Sequence, residues 1–285
     1  MTSNTIPLTR QTFETVLQAF NIPKIFLKTF SRRTAAFHSN IAALKGDNSA
    51  AAVKSSWSNL SQCVGFVHQT DSNTKAFFSI GGSYCPNTGM TSILLCGLHN
   101  NDSEIGELKR RLQYLIRRVP SPFLVSSTLL EMRFEYLESR IDEVHKGLHL
   151  TKHALGLAST MLLPMHSAPD PRPMKSAMDI AEISKDVTRA ISTSASKIYG
   201  CEAYMKIGPN ILEAAEICLR LVPDSRRPYC HDAMTEVSSG LKHHAVWLCT
   251  VHTRAQYLMH RAQGYASTVR IRISTYSATN VSDGR

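Results

Sequence analysis

Apolar and polar positions alternate with two different periods along this chain, and the change of period divides it. Towards the C-terminus Val237, Leu241, Leu248, Val251, Ala255, Leu258, Ala262, Val269 and Ile273 recur at spacings of mostly three and four, a helical stripe. The stripe predicts one helix from Pro228 to about Ile273, roughly 45 residues or about 67 Å. Pro228 suits a first helical turn, and Gly240 and Gly264 weaken the helix without ending it. Propensity alone does not hold a helix of this length, so it needs partner helices or a second copy of itself.

Upstream, Leu130, Phe134, Leu137, Ile141, Val144, Leu148 and Leu155 form an a/d repeat, which favours coiled-coil-like packing. The Pro164 and Pro169 to Pro173 region reads as a linker. A further helix is predicted from about Lys175 to Met205, with Ile180, Ile183, Val187, Ile191 and Ile198 as its face. Gly208-Pro209 should break or kink it before a helical continuation from Asn210 to Leu221. Tyr276 to Arg285 is polar and predicted frayed.

The first 123 residues read differently. Thr9 caps a short helix that runs to Phe20 with Phe13, Val16, Leu17 and Phe20 on one side, and Ile25 to Phe30 is apolar. Residues 40–60 read as a loop, with Ala50 to Ser56 ambiguous and open to helix. QCVGFVHQ (62–69) and KAFFSI (75–80) flank a cluster of turn formers and predict a β-hairpin. Gly81 to Gly89 reads as a loop and TSILLCG (91–97) as a buried strand. A helix from Glu104 to Arg118 should turn Ile105, Leu108, Leu112, Leu115 and Ile116 inward, before Pro120 and Pro122 stop it. The expected fold is α+β and helix-dominated. A small α/β domain (1–123) holds the sheet, a bundle of long antiparallel helices follows (124–275), and a frayed tail ends the chain (276–285).

Composition narrows the function classes. The chain has 285 residues, 43% hydrophobic, enough to bury a sizeable core. Its formal net charge of +10 fits an anionic partner, but the basic residues are dispersed, the densest runs being Lys109-Arg110-Arg111 and pairs such as Arg226-Arg227. Seven cysteines (63, 85, 96, 201, 218, 230 and 249) are odd in number and widely spaced, with no C-x-x-C. That argues against a disulfide framework or a zinc ribbon and for a reducing compartment. Cys63, Cys96, Cys218 and Cys249 read as small core hydrophobes. Neither a secretory leader nor a spanning stretch is expected, which predicts a soluble, cytoplasmic or peripheral protein.

Chemistry-bearing groups are few. His145, His149 and His153 share a helix face, and two of them could bind one Zn²⁺. The wider row of Glu135, Glu138, Asp142 and these histidines reads as a polar seam beside the a/d stripe. Glu135, Glu138 and Asp142, and again Asp179, Glu182 and Asp186, line two helix faces, which are either solvated or, facing each other across a helix pair or a subunit boundary, able to hold a hydrated Mg²⁺. His252 and His260 on the last helix are too far apart for one metal. No Walker A, G-x-G-x-x-G, G-x-S-x-G or H-E-x-x-H motif occurs. Trp57, Trp247 and the scattered tyrosines make no stacking platform for single-stranded nucleic acid, so nucleic acid is not an expected partner. The residues predict no enzyme, no catalytic residue, no cofactor-binding residue and no committed metal ligand.

In its order of elements the chain resembles the cytosolic region of the fungal CorA-like magnesium transporters. The resemblance rests on Thr9 to Leu17, the three strand segments, Leu129 to Leu155 with Glu138-Ser139-Arg140-Ile141, and the final helix with Gln256 and Gln263. It implies a cytosolic domain ending in a stalk-like helix, assembly into oligomers, and carboxylates that sense Mg²⁺ between subunits. The family's Gly-Met-Asn pore motif has no counterpart, Gly89-Met90-Thr91 being placed in a loop, and no pair of membrane helices follows the stalk. The resemblance therefore implies a regulatory or truncated relative; the length of the last helix adds association with itself or a partner helix, and the dispersed basic surface adds peripheral contact with an anionic membrane. The alternative is a helical interaction scaffold with no metal role.

Overall fold

The computed structural model describes residues 9–20, 22–27, 35–43, 62–70, 78–97, 102–117, 121–157 and 177–282. The elements run α1 (Arg10–Ala19), β1 (Ala36–Ala43), β2 (Gln62–Gln69), β3 (Phe78–Cys85), β4 (Met90–Gly97), α2 (Asp102–Leu115), α3 (Leu124–Ala154), α4 (Ala177–Leu221) and α5 (Arg227–Ser282). This is the helix-dominated α+β fold that the two periods predict. By contacts the chain forms two compact units that are not consecutive in sequence: 1–133 with 203–246, and 134–202 with 247–285. The sequence order had suggested 1–123 and 124–275.

Unit 1 is built on the sheet. Its strands pair antiparallel in the order β1-β2-β3-β4, each beside its sequence neighbour. One face, through Val67, Leu94 and Cys96, packs on Phe13 and Leu17 of α1 and on Ile22 and Phe26. Thr9 starts α1 as expected, its hydroxyl accepting from the Thr12 amide at 3.1 Å. On the opposite face Phe37 stacks on Phe66 and Phe66 meets Phe123 at a tilt, with ring centroids 6.4 and 5.1 Å apart.

Three expectations for this unit are corrected. The region read as a loop from residue 40 begins inside a fourth strand, β1, whose Ile41 pairs with Val64 of β2. Gly81 and Gly82 are not loop but the middle of β3, which runs on to Cys85 before a tight turn at 86–89. Close approach explains the two glycines: a Cβ on Gly81 would lie 2.5 Å from Ile22, and one on Gly82 only 2.3 Å from the Phe66 ring. In α2, Leu108 is buried as expected, but Ile116 lies just past the helix end and is 60% exposed. The ambiguous 50–56 stretch, Lys75 to Phe77 and the proline linker lie outside the described residues.

The long helices bear out most of their stripes. In α3 every predicted a/d residue, from Leu130 to Leu155, is buried. The helix ends in a Schellman turn: Leu157 N–H bonds Lys152 O, Gly156 N–H bonds His153 O, and Gly156 supplies the left-handed φ of 62°. Of the break or kink expected at Gly208 and Pro209, the break does not occur: α4 is a continuous helix through both residues. Pro209 is exposed, while Ile207 and Ile211 beside it are buried, so side-chain packing outweighs one missing backbone hydrogen bond. The buried seam of α4 passes through Val187, Ala190, Ser194, Lys197 and Cys201, leaving Ile191 and Ile198 at its edge.

Helix α5 buries Val237, Leu241, Leu248, Val251, Ala255, Leu258, Ala262 and Val269, as the stripe predicts. Ile273 is the exception, 43% exposed. Arg272 takes the seam position instead and donates to Leu155 O at 2.7 Å, capping the end of α3. The helix also continues to Ser282, so the tail predicted to fray is helical for most of its length. Among the described residues no helix is long and apolar enough to cross a membrane.

Candidate functional site

The acidic row of α3 becomes an ion-pair clamp in unit 2. Glu138 and Asp142 lie one turn apart on α3, and Arg254 on α5 reaches both. Its guanidinium donates to the Asp142 carboxylate at 2.5 Å and lies 3.8 Å from Glu138. The second row does not join them: Asp186 pairs with Arg189 on its own helix at 3.5 Å, and Glu182 is exposed. The side chain of Asp179 lies outside what is described. The two rows therefore do not share a cation among the described residues. Glu138 and Asp142 instead share the Arg254 guanidinium.

The histidine row is also separate from any metal set. His145, His149 and His153 are exposed on α3, and the rings of His149 and His153 stand 4.6 Å apart. With Lys146 and Leu150, His145 and His149 line an open hollow. On α5, His252 Nε2 faces Glu202 of α4 at 3.6 Å, and His260 Nδ1 faces Gln263 at 3.3 Å. Among the described residues no three His, Cys, Asp or Glu side chains converge as metal ligands would.

Unit 1 holds a buried polar group that the sequence reading missed. His68 and Thr70 at the end of β2 and Arg133 of α3 are all buried. Arg133 Nη2 donates to Thr70 Oγ1 at 3.4 Å, and its guanidinium lies 5.7 Å from the centre of the Phe78 ring. Thr70 also locks β3, accepting the Phe78 amide at 2.7 Å. Burial, with Arg133 adding like-charge repulsion, pushes the His68 imidazole down to about 3, so it is neutral in the fold. Neither His68 nitrogen has a hydrogen-bond partner among the described residues. The signal was the polar HQT ending of an otherwise apolar strand, which reads as a strand exit until Arg133 is brought over it.

The outer face of α5 has its own character. Between Val246 and Thr275, about 45 Å of helix, the residues turned away from the buried stripe are exposed and almost uncharged. Val246, Thr253, Tyr257, Gln263, Ser267 and Ile271 typify the face, and Arg270 is its one formal charge. Outer positions of a helix in a helical bundle are ordinarily charged. Of the thiols, Cys63, Cys201 and Cys218 are buried, Cys96 is half-buried, and Cys249, expected in the core, is exposed one position off the Leu248 stripe. No family model matches the chain, and a search of curated proteins gives no significant match.

Proposed function

We propose that this chain is a non-enzymatic helical protein on the plan of a CorA-like cytosolic region, and that it works by association of its last helix with a second copy rather than by holding Mg²⁺. The observation that carries this reading is the uncharged outer face of α5 on a chain of formal charge +10. Two such chains repel over most of their surface, whereas Val246, Tyr257 and Ile271 offer each copy exposed apolar area, 62 to 70% accessible, without that repulsion. The Arg254 clamp supports the second half of the reading, since it pairs two carboxylates of the acidic row whose spacing could serve Mg²⁺.

The test places charge on the face. Tyr257→Lys with Ile271→Lys should leave the melting temperature of the monomer nearly unchanged, because both side chains are exposed, and should dissociate the assembly. A doubly substituted chain with the same mass in solution as the parent at equal concentration would remove the association reading. A mass that rises with added Mg²⁺ would favour ion-dependent assembly of the CorA type over the scaffold.

A further inference from the structure

The antiparallel register of β2 and β3 sets Val64 opposite Tyr84 and Gly65 opposite Ser83. Continued by one residue, it sets Cys63 directly opposite Cys85. Opposed residues on antiparallel strands have Cα atoms about 4.5–5.5 Å apart, inside the 4.4–6.8 Å span that a disulfide bridges. Each thiol is close enough to the other to shift it, Cys85 raising Cys63 and Cys63 lowering Cys85. Both side chains leave the sheet on the same face, since directly opposed residues always do. Cys63 is buried, and Cys85 is partly open at the strand end where the turn at 86–89 begins.

We propose that Cys63 and Cys85 form a reversible cross-strand disulfide, entered through Cys85 by exchange with a small-molecule disulfide such as oxidised glutathione. The inference does not depend on the association of α5. The two thiols differ in a way that sets the order of events. Burial raises the Cys85 thiol, but hydrogen bonds from Thr88, Cys63 and the Asn87 backbone outweigh it, and the net shift is downward. Burial and the neighbouring Cys85 push Cys63 up to about 11. Cys85 is thus the thiolate that attacks. Its sulfur bonds to one sulfur of the external disulfide, the S–S bond breaks, and one glutathione leaves as thiolate with the electron pair. Cys63 then loses its proton to solvent, attacks the Cys85 sulfur, and expels the second glutathione. Two protein thiols are oxidised, one external disulfide is reduced to two thiols, and the released protons go to those thiols.

The experiment treats the full chain with oxidised glutathione, blocks remaining thiols, and maps the products by non-reducing digestion and mass spectrometry. The expected result is a Cys63–Cys85 linked peptide, a mass loss of two hydrogens per chain, and full reversal by a thiol reductant. Cys63→Ser removes the second step, so that variant should retain roughly ten-fold more glutathione on Cys85 than the parent does. A link between any other pair overturns the proposal. So does recovery of both Cys63 and Cys85 as thiols from treated parent chain. Should Cys63→Ser fail to fold, the map of the parent chain decides alone.

Discussion

Adding a single methyl group to Gly82 should cost this protein more than adding one to Gly264, and the two changes should differ in sign. In β3 a Cβ at Gly82 would lie 2.3, 2.6 and 2.7 Å from three atoms of the Phe66 ring. Comfortable carbon contacts are about 3.5–4.0 Å, so the ring has to retreat by about 1 Å. It has nowhere to go, because Phe66 is fully buried between Phe37 and Phe123. Overpacking of this kind costs about 1–3 kcal/mol, and three simultaneous contacts on a boxed ring place Gly82→Ala at about 2–3 kcal/mol within that range. At about 2–4 °C per kcal/mol, the melting temperature should fall by roughly 4–12 °C. At Gly264, in the middle of α5, a Cβ meets nothing within 4 Å. There the loss of glycine's backbone freedom in the unfolded chain should make Gly264→Ala stabilising by about 0.5–1 kcal/mol. Urea unfolding followed by far-UV circular dichroism gives both values from the shift in midpoint at unchanged slope. In a Phe66→Leu background the cost of Gly82→Ala should shrink, since the two sites share one contact. Gly82→Ala that is neutral or stabilising, or a cost unchanged by Phe66→Leu, would refute the close-approach explanation of β3.

Three further outcomes are expected. His68 is neutral in the fold with its pKa near 3 and ordinary, about 6.5, when unfolded. The unfolded chain therefore binds a proton that the fold refuses, so this stability is full above pH 6.5 and is lost as pH falls from 6.5 towards 3, by up to about 1.4 kcal/mol per pH unit. Urea midpoints at pH 7.5 and 5.5 should converge in His68→Gln, and an unchanged gap would mean that another group sets it. Arg254→Gln should cost about 0.5–1 kcal/mol, because all three side chains of the clamp are 37 to 46% exposed and screened. That cost should shrink in 1 M salt, and a salt-independent cost would contradict the solvated ion pair. Thr9→Ala should cost about 1 kcal/mol through the lost cap of α1, measured by the same melts; no loss would mean that the Thr9–Thr12 bond is not formed in solution.

The long helices were legible because their cores repeat. Every a/d residue of α3 and all but the last of the α5 stripe are buried, since a sustained period leaves one face only. Ile116 and Ile273 failed for a shared reason: the pattern continued past the point where a partner surface covers it. In α4 the large Ile191 and Ile198 drew attention from the seam itself, which holds Ser194 and Lys197, the latter with its ammonium 4.9 Å from the centre of the Tyr136 ring. Strand β1, AFHSNIAA, is rich in Ala, Ser and Asn, residues that rarely favour a strand, and only its pairing with β2 makes it one. Gly81 and Gly82 looked like punctuation and are clearance for Ile22 and Phe66. The sites were less legible than the fold. The acidic rows were visible, but not Arg254, which lies more than a hundred residues downstream of Glu138 and Asp142. Cys63 and Cys85 were each visible, and only the register joins them.

Association through α5 without Mg²⁺ can be read by light scattering on the full chain over a range of concentrations, with and without millimolar Mg²⁺. The expected mass is a multiple of 31.6 kDa at high concentration and the same in both buffers. A 31.6 kDa monomer at every concentration, or a mass that changes on adding the ion, would contradict it.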